Sequence, residues 1–133
     1  MTPGIDSTVR VPIRSATDLV DARQKGRALA SELGFSIAQA TLIAAVISEL
    51  ARNIVEYAGH GEISLRPDGD SGMIVAARDE GPGIADLQAA LKSGFSTSGG
   101  LGLGLPGVRR IADSFEIVSG PTGTVVTLTM KKR

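Results

Sequence analysis

Cysteine and tryptophan are absent from the 133 residues, and there is one histidine and one tyrosine. Without cysteine the chain has no disulfide staples and no thiolate metal sites. Charge of one sign is missing too: 14 Lys+Arg balance 14 Asp+Glu, a formal net charge of zero. That argues against a duplex-binding role, which needs a basic surface. The longest apolar run, LIAAVI at Leu42 to Ile47, is too short to cross a bilayer, so no membrane partner is expected. The opening MTPGIDS has neither a basic flank nor an apolar stretch, so no signal peptide is expected either. A cytoplasmic enzyme or regulator is left, and 133 residues with 42% hydrophobic content suit one domain over residues 1–133.

Several nucleotide motifs are also lacking. Lys92 and Ser93 have no glycine at the upstream offset of a P-loop. No H-R-D or D-F-G segment of an ordinary protein kinase occurs. Gly102, Gly104 and Gly107 do spell G-x-G-x-x-G, but Ser96, Thr97, Ser98, Gly99 and Gly100 precede them where a dinucleotide fold would have an apolar strand.

Periodicity supplies the architecture. Val9, Val11 and Ile13 alternate as in a half-buried strand, and Pro12 predicts that it lies at an edge. Ser15 with Asp18, and Ser36 with Gln39, read as capping boxes that open two helices. The first carries Leu19, Ala22, Leu29 and Leu33 and stops at Gly34. The second carries Ile43, Val46, Ile47, Leu50 and Ile54 and ends near Ala58 and Gly59. EISLR and MIVAARD form a hairpin through PDGDSG, and FEIVS and TVVTLTM form another through GPTG. Between them come a short helix in ADLQAALKSG, a glycine loop, and a helix opening at Pro106. The expected fold is α/β in the broad sense, an α+β two-layer sandwich: a mixed, mainly antiparallel sheet with its helices on one face.

Three elements carry chemistry. The run GFSTSGGLGLGLPGVRRIAD, Gly94 to Asp113, joins glycines and hydroxyls to a helix start, a backbone suited to wrapping an anion. DEGPGI puts Asp79 at a strand end before glycines. On the long helix Glu49 and Asn53 are four residues apart and share a face, which suits proton transfer and a Mg²⁺ site completed by phosphates. Taken singly, each has a plain alternative: a linker, a turn after a strand, and a solvated face of Glu49, Arg52, Asn53 and Glu56. His60, between two glycines, reads as a surface loop residue.

In this order ISELARNIVEYA, DEGPGI, GGLGLGLPG and the pair Gly123–Thr124 resemble the boxes of the GHKL ATP-binding fold of gyrase, Hsp90, histidine kinases and MutL. The resemblance covers nearly the whole chain. Within that fold, ELARNI and FSTSGGLGLGLPGVRR look like the anti-sigma-factor serine/threonine kinases, nearest the RsbT-type switch kinases of the bacterial stressosome. It implies ATP and Mg²⁺ as cofactors, phosphorylation of STAS-domain partners, and activation of a PPM-type phosphatase after release. By similarity Asp79 accepts the adenine amino group, with Gly81 and Gly83 beside the ring and the Thr124 hydroxyl assisting. Asn53 ligates Mg²⁺, Glu49 orients or deprotonates the acceptor hydroxyl, and Arg52 faces the acceptor protein. Ser96, Thr97, Ser98, Gly100, Gly102, Gly104 and Gly107 close over the phosphates, with Gly94 to Gly104 as a lid that orders on nucleotide. The lid core contains no Lys or Arg, which leaves Arg109, Arg110 and Lys92 as candidates for the γ-phosphate. Arg23, Lys25, Arg27 and Arg52 are expected on the docking face. A nucleotide-gated binding module without phosphotransfer is the alternative, and a homodimer stays open.

Overall fold

The computed structural model describes residues 8–82 and 104–133. In chain order these form β1 (Val9–Ile13), α1 (Ala16–Glu32), α2 (Ile37–Tyr57), β2 (Gly61–Asp68), β3 (Gly72–Asp79), α3 (Gly104–Ile111), β4 (Ser114–Gly120) and β5 (Gly123–Lys131). The expected short helix in ADLQAALKSG lies outside the described residues.

The helix ends show how local chemistry sets the frame. Gly34 at φ +92° closes α1, with Gly34 N–H donating to Ser31 O and Phe35 N–H to Ala30 O. This is the six-to-one, five-to-two pattern of a Schellman stop, which favours glycine. The Ser36 Oγ accepts the Gln39 N–H at 3.1 Å and so caps α2, but the Gln39 side chain does not complete a box; it donates to Lys131 O on β5. At α1 the expected box is replaced outright. Ser15 makes no side-chain cap, and Asp18 instead accepts the Arg14 backbone N–H at 2.8 Å and its guanidinium at 3.1 Å. The charged partner out-competes a hydroxyl for that geometry. The last helix opens at Gly104, two residues before Pro106, and ends at Ile111, so the segment from Ser114 joins β4.

The five strands run in the order β1-β2-β3-β5-β4, which puts β1 and its Pro12 at an edge. Among the described residues all four pairings are antiparallel, in keeping with the mainly antiparallel sheet expected, without the parallel pairing that a mixed sheet would add. Two helices between β1 and β2 bring the chain back reversed, and β5, not β4, lies beside β3. One helix in either place would favour parallel pairing.

Helices cover one face. Ala22, Gly26 and Ala30, four apart, are the buried seam of α1 against α2. A Cβ on Gly26 would come within 2.1 Å of Ile47 Cδ1, so glycine permits this close crossing. By length and composition α2 could cross a membrane, but just over half of its most apolar stretch is buried in this protein. It packs beside α1 on the same face of the sheet, where Ile43, Ile47, Leu50 and Ile54 meet Ile63, Leu65, Val75 and Leu128 in one apolar cluster.

One row of cross-strand neighbours spans the whole sheet. Ile13 pairs with Gly61, Gly61 with Asp79, Asp79 with Thr124, and Thr124 with Ser119. Residues directly opposite each other share a face. Three polar side chains therefore stand side by side at one end of the helix-covered face.

Candidate nucleotide site

The pocket at that end is walled by Leu50, Asn53, Ile54 and Tyr57 of α2, Ala77 and Asp79 of β3, Leu105 of α3, Ile117 of β4, and Thr124 and Val126 of β5. It is a narrow, mostly apolar slot whose polar lining is Asn53, Tyr57, Asp79 and Thr124. The structure thus brings together Asn53, Asp79 and Thr124, which lie far apart in the sequence. Tyr57, Leu105 and Ile117 were not anticipated as site residues. The signal for Tyr57 was present: Leu50, Asn53, Ile54 and Tyr57 lie three, four and seven apart on one helix face.

Asp79 is held by backbone. Its Oδ1 accepts the Gly81 N–H at 3.0 Å and the Thr124 N–H at 3.3 Å. Both donors use one oxygen, which leaves Oδ2 for a further donor. The neighbouring glycines make this arrangement possible. A Cβ on Gly81 would stand 2.6 Å from Ala58 Cβ, and one on Gly123 would stand 2.2 Å from Asp79 O. Gly123 also sits at φ +151°, outside the comfortable range of other residues. Thr124, only 7% exposed, has its hydroxyl 2.7 Å from the Ser119 Oγ.

Glu49 is 2% exposed, so it is not part of a solvated face. Its nearest cation is Arg52, with Nε 4.0 Å from Oε1, too long for a hydrogen bond. Among the described residues neither atom has a hydrogen-bond partner. A buried carboxylate oxygen without a partner costs stability, which makes Glu49 a candidate for chemistry. Arg52, with its side chain 29% exposed, is drawn back towards Glu49.

Gly104 opens α3 at φ +57°, and Gly104, Leu105, Pro106 and Gly107 are all buried. Arg109 and Arg110 stand on the last turn of that helix, at the end opposite its free N–H groups. Gly83, Ser96, Thr97, Ser98, Gly100 and Gly102, Lys92 and the rest of the expected lid lie outside the described residues. Arg23 and Arg27, with Gln24, Thr41, Ala44 and Ala45, line a separate groove between α1 and α2. Lys25 pairs with Asp21 at 3.2 Å, whereas neither arginine forms an ion pair among the described residues.

The donor set fits a nucleotide and its metal. Asp79 and Thr124 border the apolar slot, with the Asp79 Oδ2 not used by the Gly81 and Thr124 N–H groups. Asn53 lines the same slot, and its amide oxygen is a neutral ligand of the kind Mg²⁺ takes alongside water and phosphate. Among the described residues no group of three or more His, Cys, Asp or Glu side chains could hold a metal by itself.

An antiparallel sheet layered with helices, with a polar-edged apolar slot between its core helix and the sheet, defines an α+β nucleotide-binding domain. The pattern of the histidine kinase-, DNA gyrase B- and HSP90-like ATPases matches residues 38–133, and the chain belongs to that family. It is 49% identical over 112 residues to the serine/threonine-protein kinase RsbT of Bacillus subtilis, covering 82% of this chain and 84% of that one. It is 36% identical over 98 residues to the C4-dicarboxylate transport sensor protein DctB of Rhizobium meliloti, covering 65% of this chain but 16% of that protein. Among solved structures, the RsbU and RsbW domains of a Mycobacterium tuberculosis protein superpose with a TM-score of 0.69 at 18% identity, covering 96% of this chain and 33% of that one. The mycobacterial sensor histidine kinase MprB follows at 0.55 and 18%, covering 97% and 99%. These two show the fold.

Proposed function

We propose that this chain is an ATP-dependent protein serine/threonine kinase that phosphorylates STAS-domain partners and, once released from them, activates a PPM-type phosphatase by direct binding. The observation that carries the reading is the meeting of Asp79, Thr124 and Asn53 on one apolar slot, with buried Glu49 one helical turn before Asn53. The 49% identity to a serine/threonine-protein kinase over most of both chains supports the same class. We place its action in the cytoplasm, as one GHKL domain over residues 1–133.

In this reading Asp79 Oδ2 accepts the adenine amino group, while Gly81 and Gly123 keep that carboxylate pressed against α2 and β5. Asn53 holds Mg²⁺, which when bound neutralises phosphate charge. The γ-phosphoryl passes to a serine or threonine hydroxyl, its bond to ADP breaks, and the hydroxyl proton leaves towards Glu49. Phosphoryl transfer has a loose transition state, so positioning contributes most and Glu49 need not be a strong base. The cationic groove of Arg23 and Arg27 receives the partner. Incubation with labelled ATP and the STAS proteins of the same genome neighbourhood tests the proposal. If ATP and partner both bind and no phosphate is transferred, a nucleotide-gated binding module replaces it.

A further inference from the structure

Ser119 closes the cross-strand row on β4, and neither the family boxes nor the proposed transfer uses it. It stands directly opposite Thr124, two residues from a tight turn, with its Oγ 2.7 Å from the Thr124 Oγ1. The Thr124 backbone N–H already donates to Asp79 Oδ1. Its hydroxyl alone is left to address a ligand, and that hydroxyl has one proton and two lone pairs. Which of these faces the slot depends on what Ser119 takes.

We propose that Ser119 is a positioning residue for base selectivity: it donates to Thr124 Oγ1 and thereby turns the Thr124 proton into the slot. The margin then offers an acceptor, Asp79 Oδ2, beside a donor, Thr124 Oγ1–H. The edge of a 6-aminopurine presents the complement, an N6 donor next to an N1 acceptor. A 6-oxopurine presents the reverse, an O6 acceptor next to an N1 donor, and opposes both groups. Leaving a buried polar group mismatched is what makes such sites selective. The inference rests on the ATP-binding reading, and adds that the row's last member decides which purine is taken.

Calorimetric titration with ADP and with inosine diphosphate tests it without requiring turnover. Wild type should prefer ADP. Ser119→Ala should weaken ADP binding and narrow the preference by about tenfold, since the Thr124 hydroxyl can then rotate to accept from the oxopurine. Ser119→Thr, which keeps a hydroxyl, should retain the preference. Ser119→Cys, a weak donor of similar size, should fall between and serves if the alanine variant does not fold. Equal weakening of both nucleotides with an unchanged ratio would leave Ser119 as a support for β4 and overturn the inference, as would a wild type that binds both nucleotides alike. Wild type that binds neither nucleotide would overturn the ATP-binding reading beneath it.

Discussion

Gly123 lies so close to Asp79 that a Cβ on the glycine would stand 2.2 Å from the Asp79 carbonyl oxygen. Three residues earlier, a Cβ on Gly120 would meet nothing within 4 Å. Gly123→Ala should therefore lower unfolding free energy by about 1–3 kcal/mol, adding the cost of φ +151° to the clash, and weaken nucleotide binding with it. Gly120→Ala should leave both within about 0.5 kcal/mol of wild type. Chemical denaturation and calorimetry on the two variants check the contrast.

Asp79→Asn keeps the shape and leaves an oxygen for the Gly81 and Thr124 N–H groups. It replaces Oδ2 by a donor that faces the adenine amino group. Folding should persist while ATP affinity falls by about 1–3 kcal/mol or more, read by calorimetry.

Glu49→Gln should separate binding from transfer. Oε1 has no hydrogen bond among the described residues and the Arg52 contact is 4.0 Å long, so little holding energy is lost. Unfolding free energy should stay within about 1 kcal/mol of wild type or rise. ATP should still bind. Phosphate incorporation into the partner should drop by roughly two to four decades if Glu49 is the base, and by less if it only orients the hydroxyl.

Arg23→Glu with Arg27→Glu should reduce partner affinity by about tenfold or more and leave ATP affinity unchanged, because the groove is on α1 and α2 and shares no lining residue with the nucleotide slot. Surface plasmon resonance against the STAS partner, beside calorimetry with ATP, reads both. Unchanged partner affinity would move the interface elsewhere.

Asp113 gives a pH dependence whose sign follows from its partners. The Lys131 backbone N–H at 2.7 Å, and after it the Arg133 guanidinium, hold its carboxyl below the ordinary 3.8. A carboxyl depressed in the folded state contributes stability above its unfolded value, and that contribution is lost as pH falls through the folded value. Asp113→Asn should thus be less stable than wild type near neutrality. The difference should close below pH 3.8 in denaturation curves taken across the acid range.

What the sequence disclosed and what it hid divide on physical grounds. Gly34, Gly59, Asp79 and Thr124 could be placed because a turn or a strand end constrains its residues locally. The caps were half legible: Gln39 and Asp18 were correctly at helix starts, but their side chains answer to Lys131 and Arg14, and only the fold chooses among such partners. Burial of Glu49 was hidden because a polar stripe on a helix looks solvated until both its neighbours, α1 and the sheet, are known. The mainly antiparallel character was legible in the two hairpins, but the direction of β1 against β2 was not, since it depends on how the helix pair returns the chain. Ser119 was within reach: counting outward from Pro121 and Thr122 sets it opposite Thr124.

Because Ile13, Gly61, Asp79, Thr124 and Ser119 form one unbroken row, the alignment of every strand is written into the edge proposed to bind the base. Slipping any strand by one residue would turn its member of the row to the opposite face. A chain misassembled at β1 or β4 would carry the same residues with the edge broken, so nucleotide affinity doubles as a gauge of correct strand alignment across the whole sheet.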